Sequence, residues 1–247
     1  MPPMGNRKWV WLLVGLLTVL AGPVFAQDVS ITMDGDGSLA TRSIQLLVLI
    51  TLLSIVPGLA IMITCFPFMV TVLSILRQGI GLQQSPPNML IVSLALFLTY
   101  FVMEPVFISA WNNGVDPFLN SAMTLEEAFV KVMEPFRAFM SGRIAPDTFE
   151  ELASLRPEVG LGQPVEDAPL SLLIPSFLLS EIERAFQIGF LVFLPFLIID
   201  LVVAAILMSM GMMMVPPAIV SLPFKLAFFV VADGWSLIAA SLVRSYF

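Results

Sequence analysis

The 247-residue chain contains no histidine, a single cysteine and little charge. Without histidine, the commonest general base and metal ligand is missing. Cys65 has no partner for an internal disulfide, and its apolar neighbours point to a structural thiol rather than a reactive one. Charged residues make up only 12% of the chain, against roughly a quarter in a soluble domain. The glycines form neither a phosphate loop nor a dinucleotide fingerprint. A formal net charge of −7 argues against nucleic acid as a partner. What remains is hydrophobic: 58% of residues, with a mean hydropathy of +0.98. That composition defines an all-α, integral membrane-type protein.

Residues 1–26 read as a secretory signal. Arg7 and Lys8 form the basic start, Trp9 to Leu20 the apolar core, and Val24-Phe25-Ala26 a small-x-small cleavage site after Ala26. An uncleaved first membrane helix is the alternative, but the apolar run is short and ends at Gly22-Pro23. Cleavage would leave nine basic against eighteen acidic residues, with Gln27 outside the cytoplasmic membrane. Residues 27–43 form a flexible lead-in; Asp34-Gly35-Asp36-Gly37 opens like a calcium loop but lacks the later ligands.

A first apolar hairpin is expected over 44–111. Ile44 to Leu76 is uncharged for thirty-three residues, too long for one straight crossing of ~20 residues, and Pro57-Gly58 and Pro67 should kink or break it. Asn88 to Trp111 follows, interrupted late at Glu104-Pro105. Residues 112–169 carry ten acidic and four basic side chains and read as a small soluble helical insertion. Its pieces lie at Thr124–Met140, where Thr124 and Glu127 form a capping box, and at Pro146–Leu155. An acidic loop of this kind fits the non-cytoplasmic side. A second apolar hairpin spans 170–247, with breaks expected at Pro175 and Pro195.

The turn of that second hairpin is unusual. Met208, Met210, Met212, Met213 and Met214 crowd into seven positions. Gly211 breaks the incoming helix, Pro216 and Pro217 can open the next, and no charge occurs between Asp200 and Lys225. Thioether side chains are flexible and polarizable and seal irregular gaps. They suit a soft plug in a constriction, although the turn taken alone reads first as core filler.

Charge inside apolar segments is expensive unless paired or facing water. Glu181 and Arg184 share a helix face and can pair. Lys225 has no acidic residue within a turn, so its partner must come from another segment or another copy. Glu181, across a subunit boundary, is the expected partner; Asp200 is the other candidate. Glu183, Arg184, Asp200 and Asp233 are expected as supporting buried charges. Such pairs would set subunit register; a proton relay is the competing reading, with no histidine to continue it. No nucleophile has an adjacent base, so no enzyme and no cofactor are expected. A secondary transporter would need an internal repeat, and none is evident.

Two stretches are long and specific: Pro175-Ser-Phe-Leu-Leu-Ser-Glu-Ile-Glu-Arg-Ala-Phe-Gln-Ile-Gly-Phe190, and Leu194-Pro-Phe-Leu-Ile-Ile-Asp-Leu-Val-Val203 running on to Met208-Ser-Met-Gly-Met-Met-Met-Val-Pro-Pro217. With Pro223-Phe-Lys-Leu and Asp233-Gly-Trp, they resemble the FliP family of the bacterial flagellar type III export gate, over the chain from about Ile44 onward. The resemblance implies a core subunit of a protein-export channel in the inner membrane at the flagellar basal body. It also implies a homo-oligomer, a pentamer in the family, built with FliQ and FliR. FlhA and FlhB would be working partners, membrane lipid the surroundings and unfolded flagellar proteins the cargo. It makes the methionine turn the gasket of the closed pore. The related virulence-secretion subunits share the C-terminal motifs but generally lack a cleaved signal and a sizeable insertion, so residues 1–26 and 112–169 favour the flagellar branch.

Overall fold

The computed structural model describes residues 39–81, 86–156, 164–212 and 214–247. The expected signal sequence with its cleavage at Ala26, and most of the expected lead-in, lie outside the described residues. Packing divides the chain into two units, 1–49 and 50–247. Described residues of the first unit are helical. They open α1, Leu39–Met62, in which Pro57 sits without ending the helix.

The remaining elements belong to the second unit. A short break at Ile63–Cys65 does end α1, and α2, Phe66–Ile80, begins with Pro67 in its first turn, where a missing N–H costs nothing. Next come α3, Asn88–Ala110, a π turn at Trp111–Val115 and the short α4, Asp116–Leu119. The segment 44–111 therefore holds three helices, its first apolar run being broken in two next to Pro67. α5, Leu125–Ser141, and α6, Pro146–Ser154, fall where the insertion pieces were expected. The Thr124–Glu127 box is formed in both directions: Thr124 N donates to the Glu127 carboxylate at 2.9 Å and Glu127 N donates to the Thr124 hydroxyl at 3.4 Å. The first of those bonds, helped by the Thr124 hydroxyl, holds the Glu127 carboxyl below its ordinary value. The chain closes with α7, Leu170–Ser209, then α8, Pro217–Val231, and α9, Gly234–Arg244, the last two meeting at a 62° bend. No strand occurs among the described residues.

Three prolines behave differently from expectation. α3 passes through Pro105, and α7 runs unbroken for 40 residues through both Pro175 and Pro195. Each proline removes one bond from a long ladder, and the packed face of the helix holds the rest in line. α2 is the packing partner that matters most. Phe68, Met69, Val72, Leu73 and Leu76 are all fully buried there. Its approach to α7 is close because residue 189 is glycine: a Cβ at Gly189 would come within 2.4 Å of Ile75 Cδ1.

Forty residues make a helix of about 60 Å, twice the ~30 Å hydrocarbon layer. The insertion takes up the difference. Met140, Ile144, Phe149 and Ala153 form one apolar cluster with Leu172, Leu173 and Phe177 of α7, while Phe136 joins the main core around α2. The insertion helices are thus continuous with the apolar core rather than a separate body. Ser43–Met62, Asn88–Leu119 and Leu170–Ser209 are each long and apolar enough to cross a membrane, and the bent α8–α9 pair could supply a fourth span.

Candidate functional site

The methionine turn is built by a helix ending in its commonest way. Gly211, with φ +76°, takes the left-handed position after α7. Its N–H donates to Met208 O at 3.1 Å, and the Met212 N–H reaches back to Leu207 O at 3.0 Å. These two bonds are the Schellman pattern, which satisfies the orphan carbonyls of the last turn. Pro216 caps α8 and Pro217 occupies its first position, as the sequence leads one to expect. Nothing lies within 4 Å of a Cβ built on Gly211, so the space beside the turn is open.

The methionines stand in that open space. Met208, Met210 and Met214 are 60%, 65% and 97% exposed, and Met212 is 39% exposed; Met213 lies outside the described residues. They are not core filler within this chain. By contrast Met69, Met103 and Met140 are fully buried and do fill cores. On one side Met210 joins Ile198, Val202, Ile206, Val220 and Phe224 in lining an open apolar cleft of about 500 Å³ between α7 and α8.

Behind the turn, α7 and α8 are tied to α2 by one buried cation. Lys225 Nζ donates to Asp200 Oδ2 at 2.6 Å and to Gly79 O at 3.1 Å. The Ser221 hydroxyl donates to the other carboxylate oxygen, Oδ1, at 2.5 Å. Gly79 lies in the last turn of α2, where unpaired carbonyls carry the negative end of the helix dipole, so the ammonium is doubly stabilised.

A second network surrounds Glu181, which is fully buried midway along the sheathed half of α7. Arg143 Nε donates to Glu181 Oε1 at 2.9 Å, and Arg184 Nη1 stands 3.7 Å from the same oxygen. The Tyr246 hydroxyl donates to Oε2. Arg143 also donates to Ser245 O at 2.8 Å, and its guanidinium lies 4.0 Å from the centre of the Tyr246 ring. Burial first, then the neighbouring carboxylate, pushes the Tyr246 phenol well above its ordinary value, so it stays a donor. One carboxylate therefore joins the insertion, α7 and the C-terminus.

Within the chain Lys225 meets Asp200, the other candidate, while Glu181 pairs with Arg143 and Arg184; the expected contact between Glu181 and Lys225 across subunits is not one that a single chain can make. The helix arrangement decides this, since α2 and α8 carry Lys225 to Asp200 while the insertion brings Arg143 to Glu181. Only the local Glu181–Arg184 pair follows from spacing alone. Glu183 and Asp233 are exposed rather than buried. Glu183 accepts from Gln187 at 3.0 Å, and Asp233 occupies the left-handed bend before α9. Arg143 and Tyr246 were missed. Arg143 is one of four basic residues in an acidic insertion, and Tyr246 is the penultimate residue; neither position announces a partner. Cys65 is fully buried, and that burial pushes its thiol up to about 12, which fits a structural role.

With several helices long and apolar enough to cross a membrane and two buried ion networks among its described residues, the chain has the architecture of a helical membrane protein. Among the described residues no group of His, Cys, Asp or Glu could hold a metal ion. The sequence profile of the FliP family matches residues 49–242. The chain is 48% identical to the flagellar biosynthetic protein FliP of Agrobacterium fabrum, over 85% of this chain and 86% of that protein. It is 44% identical to the FliP of Aquifex aeolicus over 94% and 97% of the two chains, and 42% identical to that of Bacillus subtilis over 88% and 98%. The chain belongs to the FliP family of flagellar biosynthesis and export.

Proposed function

We propose that this protein is a pore-forming subunit of the flagellar type III export gate and that its methionine turn seals the closed passage. The observation that carries the proposal is the turn itself: a long helix delivers a charge-free cluster of thioethers to a rigid Schellman end and leaves them uncovered. An apolar group left bare in one chain is stabilised when further copies cover it. Several copies of the same turn, brought together around an axis, would form a ring of soft side chains. Such a ring excludes water when closed and yields to a passing polypeptide, because methionine has many accessible rotamers.

On this reading the assembly is a homo-oligomer, pentameric as the family resemblance implies, joined by FliQ and FliR and served by FlhA and FlhB. Unfolded flagellar proteins are its cargo. The inner membrane is its location, with residues 27–43 and 112–169 on the periplasmic side once residues 1–26 have been removed. The bare apolar faces of α1, α3 and α7 supply surface for lipid and neighbouring subunits. Its work is to open and close rather than to catalyse. The test is ion flux through the purified assembly reconstituted in vesicles. Replacing Met212 and Met214 with glycine should raise the leak of small ions at least about tenfold, since a dewetted constriction becomes wet. Unchanged current in a correctly assembled variant sinks the proposal.

A further inference from the structure

α3 and α9 enclose an open groove of about 740 Å³, within the range of small-molecule sites. Phe97, Tyr100 and Phe101 of α3 form one wall, and Ala240, Val243 and Arg244 of α9 the other. Glu104 stands on the same face of α3, one turn beyond Tyr100 and Phe101. An acid and a base thus flank one aromatic, largely apolar groove. Both side chains are exposed, and among the described residues neither makes a hydrogen bond or an ion pair. The two charges also lie at one level of the molecule. From Asn88 to Glu104 the helix rises about 24 Å, most of the ~30 Å hydrocarbon layer. Beyond Glu104, α3 packs on the insertion, with the Phe107 and Phe136 rings 5.9 Å apart. Arg244 is brought to that same end by its neighbours, since Tyr246 donates to Glu181 and Arg143 donates to Ser245 O. Exposed Tyr100 and Trp111 form an aromatic belt there.

We propose that this groove binds one zwitterionic aminophospholipid, of the phosphatidylethanolamine type, in the leaflet on the insertion side. The proposal rests on the membrane location given above and is independent of the gasket. One acyl chain lies along Phe97, Phe101 and Val243. The phosphate accepts from the Arg244 guanidinium, whose planar fork matches it, and the primary ammonium donates to the Glu104 carboxylate. Charge complementarity selects this headgroup. A glycerol headgroup carries net negative charge and sets nothing cationic against Glu104. A choline headgroup has the positive charge but no N–H to donate. Every phospholipid offers the groove an acyl chain, so the chain does not discriminate; the two charges do.

The test uses the purified assembly in detergent, mixed with equal amounts of phosphatidylethanolamine, phosphatidylglycerol and phosphatidylcholine of identical chains. Native mass spectrometry counts the retained lipid and checks that each variant keeps the mass of the assembly. Phosphatidylethanolamine should be retained at least about fivefold over the other two. Glu104→Gln should abolish the margin over phosphatidylcholine and shift the preference to phosphatidylglycerol, because Arg244 then acts alone. Arg244→Gln should lower retention of all three. Ala240→Trp fills the groove while leaving both charges in place, and should displace lipid of every class. Equal retention of the three lipids by the native assembly overturns the proposal. So does a phosphatidylethanolamine preference that survives both charge variants. A native assembly that holds no lipid overturns it too, and means that protein covers the groove. Flotation with vesicles of phosphatidylethanolamine and phosphatidylglycerol separates the site from the membrane location. Protein that floats without the headgroup preference overturns the site alone, and protein that does not float overturns both.

Discussion

The two halves of α7 have opposite fates, and the more apolar half is the less covered. From Leu170 to Glu181 the helix is enclosed: Leu172, Leu173, Phe177 and Glu181 are buried beneath α5 and α6. From Leu197 to Met208 it is bare: Ile198, Leu201, Val202 and Ile206 are all more than half exposed. The enclosed half also closes its electrostatics, since Glu181 finds Arg143, Arg184 and Tyr246 inside one chain. The bare half closes only its inner side, through Asp200 and Lys225, and leaves its apolar surface for something outside the chain. Hydrophobicity alone therefore does not separate core from interface; the presence of a covering element does.

The comparison breaks most readily at Glu181. Glu181→Ala removes the acceptor shared by the insertion and the C-terminus and leaves the Arg143 guanidinium without its buried partner. Such losses cost about 3–5 kcal/mol, so thermal unfolding of the detergent-extracted protein should move down markedly. A loss below about 1 kcal/mol would mean that the enclosed half does not depend on this knot. On the bare half, Lys225→Met strands an Asp200 whose side chain is 33% exposed. Water can reach that carboxylate, so the expected cost is smaller, about 1–2 kcal/mol. The same unfolding measurement, run side by side, ranks the two networks; equal losses would erase the distinction. The smallest effect belongs to the turn. Gly211→Ala meets no neighbouring atom, so its cost is the left-handed backbone alone, about 1 kcal/mol. Faster amide exchange confined to Met210–Met212 would report it, and exchange spreading down α7 would show that the turn is not an independent end.

Helix identity was legible wherever local chemistry rules. The Thr124–Glu127 box, the Pro67 start of α2, the Gly211 stop and the Pro216-Pro217 restart all depend on residues within one turn of one another. Prolines 105, 175 and 195 were misjudged for the complementary reason. A single missing bond breaks an isolated helix, but a helix pressed along α2 keeps its course. The charges divide in the same way. Glu181–Arg184, three apart on one face, could be read directly, whereas Lys225–Asp200 and Glu181–Arg143 needed the packing to select among possible partners.

By itself the sequence determined that this is a helical membrane-type protein, where its methionine turn falls and which family it resembles, because composition and short-range spacing carry that information. Only the tertiary structure decided that Glu181 joins the insertion to the C-terminus, that Lys225 binds Asp200 and the end of α2, and that the methionines of the turn stand uncovered. Those outcomes depend on residues 25 to 146 positions apart, and contacts at that range exist only once the helices have packed.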